Sequence, residues 1–204
     1  MNSLFNPNNL FFRSLSWAVD IVGISFLWVL LSLPLVTLVP ASAALYQTCA
    51  LCIRRGEDGA FTRFFRSFLG NLRQGCILSL PLLLLGALLF LGQNVMAAAA
   101  GEVGGYATVL YGVYSVALFL PLGAACWLSP LLGRFAFRSR ELWRTAFLLT
   151  LGHLPTSVLV VLLTAGGAFA CFLCVPLVLL VPVLLTILLS FPMERVFKKH
   201  MEEK

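Results

Sequence analysis

Charge is what this sequence has least of. Only 11% of its 204 residues are Asp, Glu, Lys or Arg, while 60% are hydrophobic and the mean hydropathy is +0.98. Soluble domains carry about 25% charged residues, so water cannot be the solvent for most of this surface and lipid must be. Polar linkers and low-complexity runs are missing as well, which excludes a string of separate domains. Residues 1–204 read as one transmembrane unit.

Other absences narrow the function. Met1 to Ser16 holds a single basic residue, Arg13, and lacks the charged start and short apolar core of a cleaved signal; the first apolar run is expected to stay as an anchor. There is no Gly-x-Ser-x-Gly, no His-Glu-x-x-His, no phosphate-binding glycine loop and no pair of intramembrane carboxylates. The chain therefore reads as non-enzymatic and without a cofactor, and any use of ATP belongs to a partner. A net charge of +6 and a pI near 9.3 would point a soluble chain towards nucleic acid. Here the basic residues flank apolar runs, which makes lipid headgroups their partners and argues against nucleic acid.

Cysteine is present in six copies, including the pairs Cys49/Cys52 and Cys171/Cys174, with Cys76 and Cys126 apart. Two Cys-x-x-Cys pairs suggest zinc. The first pair falls near the cytoplasmic face and the second near the outer face, so they cannot share one ion, and no metal site is expected. In apolar helix, cysteine packs as a small hydrophobe; a disulfide between Cys171 and Cys174 stays open on the outer side.

What is present is a series of apolar runs. A hydrocarbon core of about 30 Å takes roughly 20 apolar residues of helix. Six runs meet this: 15–34, 37–53, 75–96, 104–132, 146–167 and 174–193. The expected fold is all-α, a polytopic transmembrane bundle of about six spans, or five if the second is re-entrant. That second run is short and carries Thr37, Pro40, Ser42 and Gln47. The fourth is long, and Pro121 or Pro130 is expected to kink or break it.

Basic residues set the orientation. Arg13 precedes the first run; Arg54, Arg55, Arg63, Arg66 and Arg73 lie between the second and third; Arg134, Arg138, Arg140 and Arg144 lie between the fourth and fifth. Arg195, Lys198, Lys199 and Lys204 follow the sixth. The alternate loops carry no Lys or Arg. The positive-inside rule then places both termini and both basic loops on the cytoplasmic side of the membrane.

The basic loops are also aromatic. Phe61, Phe64, Phe65, Phe68, Leu69 and Leu72 recur at helical spacing among Arg63, Arg66, Asn71 and Arg73, the pattern of an amphipathic interfacial helix. Phe135, Phe137, Leu142, Trp143 and Phe147 repeat the idea against Arg134, Arg138, Arg140 and Arg144. These arginines either anchor the chain to lipid or dock a partner. Shared wording, Arg63-Phe64 with Phe65-Arg66-Ser67 against Arg134-Phe135 with Phe137-Arg138-Ser139, hints at duplicated hairpins.

Ionisable residues inside spans are functional candidates by default. Asp20 and His153 qualify, both towards the cytoplasmic end of their runs, where they could meet as a carboxylate–imidazole pair and relay a proton or touch a substrate. The plainer reading has Asp20 reaching the interface or a helix N-terminus and His153 bonded to a backbone carbonyl near Pro155. Prolines punctuate the runs, most densely in Ser32-Leu33-Pro34-Leu35-Val36-Thr37-Leu38-Val39-Pro40-Ala41.

The chain resembles the YesL-like family of bacterial multi-span membrane proteins, a domain of unknown function. The resemblance rests on Phe5-Asn6-Pro7-Asn8-Asn9 before Phe12-Arg13, Leu27-Trp28 leading to Ser32-Leu33-Pro34, and Pro40-Ala41 running to Ala44-Leu45-Tyr46. It continues through Phe64 to Phe68 with Asn71 and Gln74, Pro130 with Arg134-Phe135, His153-Leu154-Pro155 and Val196-Phe197-Lys198-Lys199. Pro34, Thr37, Pro40, Tyr46, Asn71 and Pro155 are its candidate signature positions. The resemblance implies an accessory protein of carbohydrate uptake, in contact with ABC-type sugar importer subunits, and carries over no catalytic residue. The alternative is a chain that binds or moves a small solute itself, with Asp20 and His153 near the pathway.

Overall fold

The computed structural model describes residues 10–53, 59–103, 105–135 and 138–202. Arg54, Arg55, Phe137 and the Phe5–Asn9 motif lie outside the described residues. Every regular element among those described is helical: α1 (Leu10–Ser32), α2 (Leu38–Thr48), α3 (Ala60–Val103), α4 (Gly105–Arg134), α5 (Ser139–Gly152), α6 (Leu154–Leu173) and α7 (Val181–Glu202). A 3-10 turn (Leu35–Thr37) leads into α2 and a π turn (Cys49–Ile53) follows it, while a second 3-10 turn (Val175–Leu179) joins α6 to α7.

Four stretches are long and apolar enough to cross a membrane: Leu35–Cys52, Ala60–Ala99, Gly105–Arg134 and Leu154–Leu173. Trp17–Ser32 and Val181–Glu194 are apolar but shorter. The outer surface has the character such spans require. Leu84, Leu88, Phe90, Val95, Tyr106, Val109, Val116, Leu162 and Phe172 are all exposed, which in water would be a large association-prone patch.

Two local outcomes differ from the sequence reading, and a third excludes a break at the prolines of the fourth run. The amphipathic stretch after Ala60 does not lie as a separate interfacial helix; it runs without a break into the third span. At 44 residues α3 is about 66 Å long, more than the roughly 45 Å of a whole bilayer, so its basic first turns must project from the hydrocarbon. The fourth span stays one helix with Pro121 and Pro130 inside it. The fifth, expected over 146–167, is instead divided at His153 (φ −123°, ψ 54°) into α5 and α6. Pro155 has no N–H for the Leu151 carbonyl and its ring crowds that oxygen, so the helix stops and restarts.

The short α2 is the buried centre. Val39, Pro40, Ala41, Ala43, Ala44, Leu45, Tyr46 and Thr48 are all buried, and Ala41, Ala43 and Ala44 are small enough to let neighbouring backbones come close. A Cβ on Gly75 of α3 would lie 2.7 Å from the Pro40 ring, and one on Gly133 of α4 would lie 2.9 Å from the Ala43 carbonyl oxygen. α1 folds back on α2, with Trp28 Nε1 donating to Ser42 Oγ at 3.2 Å, and Gly23 packs against Phe61. The turn between them is closed by Thr37, whose hydroxyl lies 2.5 Å from the Leu31 carbonyl and 2.7 Å from that of Pro34.

These contacts fix heights. The α1–α2 turn packs on α3, where Val39 joins one core cluster with Leu78, Leu82 and Leu128. Beyond Leu82, α3 continues to Val103, about 32 Å further at 1.5 Å per residue, paired with α4 through Gln93 Nε2 donating to Ser115 Oγ at 3.0 Å. The α1–α2 hairpin is thus much shorter than the α3–α4 hairpin beside it. On the other flank α5 climbs α4, with Thr150 against Gly123, and the wholly buried Trp127 indole donates to Ser157 Oγ of α6 at 2.9 Å.

Candidate functional site: a cavity between α2, α4, α6 and α7

A cavity of about 280 Å³ lies where α2, α4, α6 and α7 meet, with Trp28 of α1 at its edge. Left empty, a void of that size would cost about 7 kcal/mol at roughly 24 cal/mol per Å³, as much as the net stability of many domains. The wall is largely aliphatic: Leu38, Val39, Leu45, Leu122, Ala125, Val160, Leu185, Leu189 and Met193, with Pro130 and Pro182. It contains no Asp, Glu, Lys, Arg, His, Asn or Gln among the described residues.

The polar atoms of the wall are mostly committed to their own helices. Ser129 Oγ donates to the Ala125 carbonyl (3.2 Å), Thr164 Oγ1 to Val160 (2.7 Å) and Thr186 Oγ1 to Pro182 (2.7 Å). Ser42 Oγ receives the Trp28 indole. Pro130 has no N–H to return to the Cys126 carbonyl, which leaves a polar notch in α4. Only two lining residues are exposed, Leu122 on α4 and Thr164 on α6, and Cys126 Sγ approaches Thr164 Oγ1 to 3.9 Å beside them. The lining therefore comes nearest the outer surface where α4 and α6 meet.

Among residues singled out from sequence, Ser42, Cys126 and Pro130 line the cavity, and of the candidate signature positions Tyr46 does; the other candidates fall elsewhere. Pro40 sits behind the cavity against Gly75. Pro34 is exposed at the α1–α2 turn that Thr37 closes, and Pro155 is exposed in the first turn of α6. Asn71 donates through Nδ2 to the Ser67 carbonyl at 2.9 Å and so serves its own helix.

Asp20 and His153 are not brought together by the main helix packing. α1 packs on α2, α3, α7 and the 175–179 turn, whereas α5 packs on α3, α4 and α6. The Gly23–Phe61 contact sets Asp20 beside the first turns of α3. Thr150 on Gly123 lies about 16 Å along α4 from Arg134, and His153 is three residues further on. Neither residue lines the cavity. The His153 carbonyl accepts the Ser157 N–H at 2.9 Å, a backbone bond across the α5–α6 junction.

The arginines gather at the ends of α3, α4 and α5. Arg66, Arg73, Arg134, Arg138 and Arg144 are exposed and Arg63 is half-buried. Phe64 and Phe68 face the core, leaving Phe61, Phe65 and Leu69 exposed beside the charges. At the start of α5 the Arg138 N–H donates to the Glu141 carboxylate at 3.4 Å, and Trp143 stacks on Phe147 at 5.1 Å.

Sequence reasoning missed the cavity, the Trp127–Ser157 bond and the Gly75 and Gly133 contacts. Glycines inside apolar helices were the available signal for the last two. No group of three or more potential metal ligands occurs among the described residues. No curated protein and no solved structure matches this chain. Residues 21–92, which hold the second half of α1, all of α2 and the larger part of α3, match the model of a family described as protein of unknown function, DUF624.

Proposed function

We propose that this chain is a non-enzymatic accessory protein of bacterial carbohydrate uptake that acts by contact with an importer. The observation that carries the reading is the exposed arginine and aromatic surface formed by the first turns of α3 and the start of α5. Arginine presents a flat, weakly hydrated fork suited to protein carboxylates, and aromatics beside it supply apolar area. The cavity supports the same reading by its chemistry. A sugar needs many hydrogen bonds, yet this wall is aliphatic and its Ser129, Thr164 and Thr186 hydroxyls already donate to the backbone. A pathway served by Asp20 and His153 would need them at the cavity, and they are not there. Sugar handling therefore falls to a partner, which in our reading is an ABC-type importer.

The membrane placement we infer keeps both termini and all basic segments on the cytoplasmic side of the cell membrane. It makes α1–α2 a re-entrant hairpin rather than two full crossings. Were its turn at the outer surface, the exposed Leu84, Leu88, Phe90 and Val109 beyond it would stand in water. Gentle purification from the native membrane tests the function. Importer permease or ATPase subunits in stoichiometric amount are expected, and a solitary chain would overturn the reading.

A further inference from the structure

We propose that the cavity between α4 and α6 is a binding site for one acyl chain of a bilayer phospholipid, entered sideways from the membrane. Three observations converge on that occupant, and none depends on the contact role above. The first is position. Leu122, exposed where the lining comes nearest the outer surface, lies twelve residues from Arg134 along α4, about 18 Å into a hydrocarbon core of about 30 Å. At that depth the medium outside is lipid tail.

The second is the wall. With no charged or amide side chain lining it, and with Thr164 and Thr186 donating to their own helices, the site offers a ligand mainly dispersion contacts, apart from the Tyr46 hydroxyl and the notch at Cys126. A headgroup or a sugar would lose its hydration there without compensation, whereas a hydrocarbon chain leaving lipid has no hydration to lose. The third is size. At about 280 Å³ the space is nearly twice the roughly 150 Å³ apolar cavity that accommodates benzene, room for a stretch of chain rather than a single ring. An occupant of this kind fills the gap that α2, α6 and α7 leave around Ala125 and makes the bundle's packing continuous with the bilayer.

The test uses the full chain in vesicles of phosphatidylglycerol and phosphatidylethanolamine containing a phospholipid with a photoreactive diazirine near the end of one acyl chain. After illumination, peptide mapping is expected to find label on the inward-facing Tyr46, Ala125 and Leu189 as well as on the lipid-facing Leu84 and Val116. Label confined to the lipid-facing residues would overturn the proposal. Ala125→Phe, which fills the cavity, is expected to lower label on Tyr46 and Leu189 at least fivefold and leave Leu84 and Val116 unchanged. Undiminished label on Tyr46 and Leu189 in that variant, with its melting temperature retained, would count equally against it. If a photoreactive free fatty acid marks the wall while the phospholipid does not, the phospholipid is the wrong occupant.

Discussion

Gly133 of α4 and Ala43 of α2 meet backbone to backbone: a Cβ on Gly133 would come within 2.9 Å of the Ala43 carbonyl oxygen. Because the obstacle is main chain, it cannot swing aside as a side chain would. Gly133→Ala is expected to destabilise the protein by about 1–3 kcal/mol through overpacking. Gly112→Ala, also within α4 but with nothing near its Cβ, should be neutral or stabilising by up to about 1 kcal/mol, the helix-propensity gain. Denaturant unfolding in detergent micelles separates the two; equal effects would show that α2 and α4 do not touch there.

That contact also shows how far the sequence could be read. Hydropathy located every apolar segment, since membrane solvation acts residue by residue along the chain. It could not tell that 37–53 would become the buried centre. Pro40 looked like an interruption, yet it lies in the first turns of α2, where few N–H groups have helical partners to lose. The division at His153 was foreshadowed by Pro155, but a mid-run proline can either kink a helix or end it, and the packing of Thr150 on Gly123 and of Ser157 on Trp127 accompanies the second outcome. The cavity was illegible because its wall is assembled from five helices, none of which has a distinctive local pattern. Asp20 and His153 stood out as costly residues, but cost per residue carries no information about which helices become neighbours.

The Trp127–Ser157 hydrogen bond joins two spans in the buried layer. Interhelical bonds of this kind contribute about 0.6 to 2 kcal/mol in membranes. Ser157→Ala leaves the indole N–H without its hydroxyl acceptor and should cost about 1 kcal/mol, and Trp127→Phe should cost more because a larger buried group is lost. The double variant should fall short of the sum by the coupling energy. Strict additivity in a double-mutant cycle would mean that the bond contributes nothing.

Membrane placement can be read with a maleimide that does not cross bilayers, in a background lacking the exposed Cys174. Arg140→Cys should react only from the cytoplasmic side and Ala98→Cys only from outside. Leu35→Cys, at the α1–α2 turn, should react from neither side because the turn packs against α3 inside the hydrocarbon. Outside reactivity at position 35 equal to that at position 98 would restore two full crossings and the six-span arrangement.

Partner contact should depend on charge at the ends of α3 and α5. Arg66, Arg73, Arg138 and Arg144 are exposed, so reversing them removes little packing, and surface substitutions of this kind usually stay within about 0.5 kcal/mol each. Arg66→Glu with Arg73→Glu, and separately Arg138→Glu with Arg144→Glu, should leave the melting temperature nearly unchanged. Each pair should reduce recovery of importer subunits in gentle purification about tenfold, since like charge across an interface is strongly disfavoured. Raised salt should weaken recovery with the unaltered chain in the same direction, because exposed pairs are screened within about 8 Å at physiological ionic strength. If recovery survives both reversals while binding to anionic vesicles falls, the arginines serve the lipid surface and the importer contact must lie on another face.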